Sequence, residues 1–163
     1  MPDKFLCVIA TFDDEASKQM KALDYLLKRA DIRGKQTPDL PHHITLAYFD
    51  VSQEAEAKQL MSEVCTKTKS FNLNFSHIGL FGLKVLFLAP NINQELLDLR
   101  RNFDVDNTEA WTAHATLLID EPESIHKALD LISKEFQNMT ATIQALHLYE
   151  FFPTRLIASY ELK

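Results

Sequence analysis

The chain is expected to fold as an α+β protein in which a strand–helix–strand module with antiparallel strands occurs twice, as two lobes about a pseudo-twofold axis with a central cleft. Three observations carry that expectation. Strand-length apolar runs alternate with stretches of helical period along the whole chain. The tetrapeptide His43-Ile-Thr45-Leu46 returns as His114-Ala-Thr116-Leu117. The interval between those tetrapeptides also carries Lys84–Ala89 onto Arg155–Tyr160. His77 and Phe81 reach His147 and Phe151 at an interval one residue shorter, which places a single-residue slip in the turn before Arg155. With 163 residues, both lobes are expected within one domain spanning 1–163.

The elements follow in order. Lys4–Phe12 is a continuous apolar run bounded by acids and reads as a buried strand. Asp13 or Asp14 can cap the helix that follows, whose stripe Ala16, Met20, Leu23, Leu27 and Ala30 runs until Gly34. Gly34–Pro41 is a loop, and His42–Phe49 a strand. Asp50 with Ser52 opens a second helix that buries Ala57, Leu60, Met61 and Val64. Phe71, Leu73 and Phe75 alternate with polar residues, and after Gly79 and Gly82 the run Val85–Ala89 is uniformly apolar, giving two strands around a short turn. Asn91 or Asn93 starts a short helix carrying Leu96, Leu99 and Phe103, followed by an irregular polar stretch over Asp104–Ala113. His114–Ile119 is a strand. Pro122 opens a helix with Ile125, Ala128, Leu129, Ile132 and Phe136 inward, and Thr140–Phe152 and Arg155–Leu162 are strands turning at Pro153.

Composition narrows the function. Apolar residues make up 46% of the chain and charged ones 25%, enough to build a core, so disorder and fibrous repeats drop out. The formal charge of −6 argues against gripping long duplex nucleic acid through many phosphates, so any phosphate handled is small or terminal. No run approaches the roughly 20 apolar residues that span a bilayer, and the first strand lacks a signal-peptide plan, so a cytoplasmic protein without membrane contact is expected. Cys7 and Cys65 lie apart on apolar faces, as reduced core thiols do.

Side chains alternate along a strand, so His43 and Thr45 leave one face while Ile44 and Leu46 leave the other, and His114 and Thr116 do the same. Two imidazoles can supply one neutral base and one protonated acid near neutral pH. Displacement at phosphorus uses such a pair, with the attacking oxygen entering opposite the leaving one. A pseudo-twofold axis through the phosphate would set one histidine on each side, and Thr45 and Thr116 could donate to the non-bridging oxygens. The scheme calls for no metal and no cofactor.

The paired tetrapeptides resemble the signature of the two-histidine phosphoesterase superfamily, in particular the bacterial 2′-5′ RNA ligase-like proteins. Gly79-Leu-Phe81 and Lys84-Val-Leu-Phe87 are similar to that family's turn and strand between lobes, so the resemblance runs over essentially the whole chain. Ala113 stands where the family often has proline. The resemblance implies metal-independent cleavage or formation of phosphodiesters such as 2′,3′-cyclic phosphates or 2′-5′ linkages, with His43, Thr45, His114 and Thr116 in the catalytic positions. The substrate expected is a small nucleotide or an RNA terminus, handled by a monomer.

Blander readings stand beside these. A lone histidine on an apolar strand is usually a packed core residue, and the duplicated pair with its threonines is what argues otherwise. A metal-dependent hydrolase would want a carboxylate or cysteine at ligand spacing, and a nucleotide-binding module without turnover would not need two groups titrating near 7. His42 should point away from His43, and His126 lies on a polar helix face. His77 and His147 read as symmetric packing. Phe81 and Phe151 could stack on a base, worth about 1–3 kcal/mol each, or simply pack. Lys84 and Arg155 could attract phosphate or be solvated strand ends, and Arg33, Lys35 and Trp111 carry the same ambiguity.

Overall fold

The structure is a computed structural model that describes residues 3–103 and 111–163. Of the irregular stretch expected at Asp104–Ala113, residues 104–110 lie outside the described residues. The described elements are β1 (Phe5–Phe12), α1 (Asp14–Arg29), β2 (His43–Asp50), α2 (Glu54–Lys67), β3 (Phe71–Phe81), β4 (Val85–Pro90), α3 (Gln94–Arg101), β5 (Ala115–Ile119), α4 (Pro122–Glu135), β6 (Met139–Phe151) and β7 (Arg155–Glu161). They make a mixed α+β fold with antiparallel strand pairs throughout.

Local chemistry explains the boundaries. Asp13 caps α1 by accepting from the Ala16 N–H at 3.3 Å. The helix stops at Arg29, so Ala30 is its exposed cap and Ile32 completes the buried stripe instead. Asp50 and Gln53 form a reciprocal capping box around a single 3₁₀ turn, Val51–Gln53, which delays α2 to Glu54. Gly79 does not break the chain. β3 runs through it to Phe81, and the turn is made at Gly82, whose φ is +54°.

The strands form one sheet in the order β2-β1-β6-β3-β4-β5, with β7 added to β6. The first part of β6 pairs with β3 and the last part with β7. Leu6, Val8, Ala10 and Phe12 of β1 join one continuous core with α1, α2, α3 and α4, while Cys7, Ile9 and Phe151 form a small cluster on the opposite face. Helices therefore cover one face and leave the other free to carry a site.

The strand order reads the same when β1 exchanges with β4, β2 with β5 and β3 with β6. Its registers agree. Ile9 faces Thr45 on one side and His147 on the other, as Phe87 faces Thr116 and Gly79. A bulge opposite Val8/Ile9 recurs opposite Leu86/Phe87. This corrects the register read from sequence. In the sheet β4 corresponds to β1 rather than to β7, so Lys84–Ala89 and Arg155–Tyr160 are not equivalent strands. Gly79, not His77, matches His147, and Phe81 matches Tyr149 rather than Phe151. The sequence comparison followed the hairpins after β3 and β6, which look alike, whereas pairing partners decide equivalence.

Candidate active site

His43 opens β2, and Thr11 of β1 lies directly across from it, so both side chains leave the helix-free face. His43 Nδ1 lies 2.7 Å from the Pro41 carbonyl, and His114 Nδ1 lies 2.7 Å from the Thr112 carbonyl. Each contact reaches the residue two positions upstream. A carbonyl accepts and does not donate, so in both rings Nδ1 carries the proton and Nε2 is left for chemistry. Burial pushes the His43 imidazole down to about 4, helped by the fields of His114 and His147 and opposed by the Pro41 bond. His43 is therefore neutral around pH 7.

A cavity of about 650 Å³ is lined by His43, Thr45 and Thr116, with Phe5, Tyr48 and Phe151 among its aromatic walls and the Pro38–Pro41 loop over it. His43 and Thr45 of β2 and Thr116 of β5 thus share one space. His114 is not part of that lining; it acts on His43 through its field and stands edge-on to Phe81 at 4.7 Å between ring centres and 5.2 Å from Phe87. Phe87 fits only because residue 79 is glycine: a Cβ there would run into its ring.

Of the expected substrate-binding residues, Phe151 is buried in the cavity wall and stacks on Phe5, while Phe81 is partly exposed against His114. Lys84 and Arg155 lie outside the cavity lining. Lys84 pairs with Glu121 at 3.2 Å and Arg155 with Glu150 at 3.4 Å. Lys35 shares Glu121, and Arg33 lines the cavity with a largely exposed side chain.

Other histidines depart from the sequence reading. His77 is exposed and bonds Ser76 Oγ, so it does not pack symmetrically with His147. His147 is half-buried on the site's own face, with Nε2 2.8 Å from Thr11 Oγ1 and Nδ1 2.6 Å from Ser159 Oγ. Burial lowers its pKa as well. The signal that could have found it was alternation along β6, which sets His147, Tyr149 and Phe151 on one face. His42 precedes β2, so strand alternation does not send it to the opposite face; it bonds the Asp24 carboxylate at 2.9 Å and lines the same cavity as His43. His126 is exposed as expected. Both cysteines are free and buried, and burial pushes their thiols up to about 12 for Cys7 and about 11 for Cys65, which leaves them unreactive. No group of three or more metal-ligating side chains occurs among the described residues, and none of their helices is long and apolar enough to cross a membrane.

The two histidine–threonine pairs thus belong to an antiparallel α+β fold that known proteins share. Residues 12–152 match the sequence profile of the 2′-5′ RNA ligase superfamily, and the chain belongs to that superfamily. Its structure is similar to the TT0787 protein of Thermus thermophilus, with a TM-score of 0.69, 12% identity and 97% of each chain covered. It is also similar to LigT of E. coli complexed with ATP (TM-score 0.66, 17% identity, 98% of each chain) and with 3′-AMP (TM-score 0.63, 18% identity, 98% of each chain). No curated protein matches the chain by sequence.

Proposed function

We propose that this protein is a metal-independent phosphoesterase acting on 2′,3′-cyclic or 2′-5′ phosphodiesters of RNA ends or small nucleotides, working as a monomer in the cytoplasm from a cleft between two related lobes. The observation that carries the reading is the matched pair of Nδ1 contacts, from His43 to Pro41 and from His114 to Thr112, which dedicates one Nε2 in each half of the sheet to proton transfer. Nucleotide complexes of the E. coli relative support a small nucleotide as substrate.

In hydrolysis of a cyclic phosphate, His43, neutral because it is buried, accepts a proton at Nε2 from the attacking water. The new P–O bond forms as the P–O bond to the ribose oxygen breaks, and protonated His114 gives its Nε2 proton to that leaving oxygen. Thr45 and Thr116 donate to the non-bridging oxygens, where charge builds. An anionic phosphate beside His43 works against its burial and raises its basicity during the reaction. Ligation runs the same steps backward with the roles exchanged. Phe81 and Phe151 offer ring faces to a base, whereas Lys84 and Arg155, paired with acids outside the cavity, carry no step.

The test is turnover of a 2′,3′-cyclic nucleotide in excess chelator. Wild type should keep full activity, and His43→Ala and His114→Ala should each lose roughly 10²–10⁴-fold while remaining folded. Near-normal turnover by either variant contradicts the assignment. Nucleotide binding without turnover would favour a pure binding module, and loss of activity in chelator a metal-dependent hydrolase.

A further inference from the structure

β2 and β5 are the two ends of the strand order, and a sheet edge carries backbone groups without ladder partners. Each of these edges is met by the segment that leads into the other strand. Before β2, the Gln36 side chain donates to the Leu117 carbonyl at 3.5 Å and accepts from the Ile119 N–H at 3.1 Å, while the Lys35 N–H donates to the Ile119 carbonyl at 2.6 Å. Before β5, Trp111 donates its Nε1–H to the Thr45 carbonyl at 3.3 Å, and the Arg100 guanidinium covers its ring at 4.4 Å. The first approach requires glycine at 34. Its φ is +76°, and a Cβ there would strike the Gln36 amide and Leu118.

We propose that Gln36 and Trp111 form a reciprocal clasp that sets the separation of β2 and β5, and are therefore positioning residues for the reaction of His43 and His114. The clasp rests on the two-histidine reading and adds what holds the two halves in register. Its contacts fall on the catalytic strands themselves: Thr45 carries one accepting carbonyl, and Leu117, next to Thr116, carries another. Both edges are held from outside the ladder, so loss of either contact lets its strand shift without breaking a strand pair. In-line displacement is sensitive to such a shift, because a misplacement of 1 Å can cost about 10²-fold in rate. Binding a tetrahedral phosphate is far more tolerant, since its hydrogen bonds can follow one strand alone.

Two variants separate this role from a structural one. Trp111→Phe keeps a ring beneath Arg100 and removes the N–H, and Gln36→Ala removes both side-chain bonds to β5. For each, kcat and KM on a 2′,3′-cyclic nucleotide, the melting temperature, and affinities for inorganic phosphate and for vanadate are measured, vanadate standing in for the five-coordinate transition state. The clasp predicts a fall in kcat of roughly 10–100-fold, a matching loss of vanadate affinity, and KM and phosphate affinity within about threefold of wild type. Wild-type kcat in both variants, or equal weakening of phosphate and vanadate, would overturn it. His43→Ala run alongside keeps the two failures apart. If turnover survives in that variant, the two-histidine reading falls and the clasp's role with it. If turnover is lost there but retained in both clasp variants, the clasp alone is removed.

Discussion

Hydrogen-bond direction assigns more of the chemistry here than charge does. With Nδ1 of each imidazole committed to a backbone carbonyl, the proposed reaction gives proton transfer to Nε2 of His43 and His114 and the part of base to His43, held down to about 4. In kcat/KM, which reports the free enzyme, the acid limb should therefore fall near pH 4 rather than at the ordinary histidine value of about 6.5. A limb at 6.5 would mean that His43 is not the base. Thr45→Val should lower kcat by about tenfold or more with little loss of stability, and an unchanged rate would mean that this hydroxyl does not meet the phosphate. That each motif sets a histidine and a threonine on one strand face was legible in the sequence, because side chains alternate along a strand and the pattern occurs twice. His147 was not. Its partners Thr11 and Ser159 lie on other strands of the sheet, and what it does depends on those neighbours.

The strands show where sequence pattern stops being informative. Hydrophobic period placed nearly every element, since each buries one face against the shared core. Which strand pairs with which was less visible, because β1 and β4 have little in common beyond apolar character, while the β3–β4 and β6–β7 hairpins share a pattern that aligns them misleadingly. The two halves of the sheet also differ in a way that only pairing reveals. Beside His43 stand Thr11 and His147, whereas beside His114 stand Phe81 and Phe87. Gly79→Ala tests the second of these settings. Its methyl would displace the Phe87 ring and with it His114, so we expect a destabilisation of about 1–3 kcal/mol in urea unfolding together with a lower kcat. Unchanged stability and activity would show that the Phe87 stack does not hold His114.

For the molecule as a whole, the same burial that suits His43 to be a base makes the fold sensitive to acid. Its folded pKa, about 4, lies below the unfolded value of about 6.5, so as pH falls through this window the unfolded chain takes up the proton first and stability declines, levelling off for this group below 4. His147 is shifted in the same direction. His43→Gln should flatten that decline by about 1–3 kcal/mol between pH 7 and pH 4, read as urea midpoints at each pH, and an unaltered slope would count against a buried neutral imidazole. The net charge of −6 and the pairing of Lys84 and Arg155 with acids fit the proposal that histidines and hydroxyls meet the phosphate, and Lys28 and Arg33 are the lysine and arginine of the cavity lining.

A crystal structure of the protein with a nucleoside vanadate puts all of this to the most direct trial. We predict one apical oxygen within hydrogen-bonding distance of His43 Nε2, the opposite apical oxygen equally close to His114 Nε2, and the equatorial oxygens on Thr45 and Thr116. A complex in which both rings lie on the same side of the vanadium, or in which either ring makes no contact with its oxygens, would contradict the account.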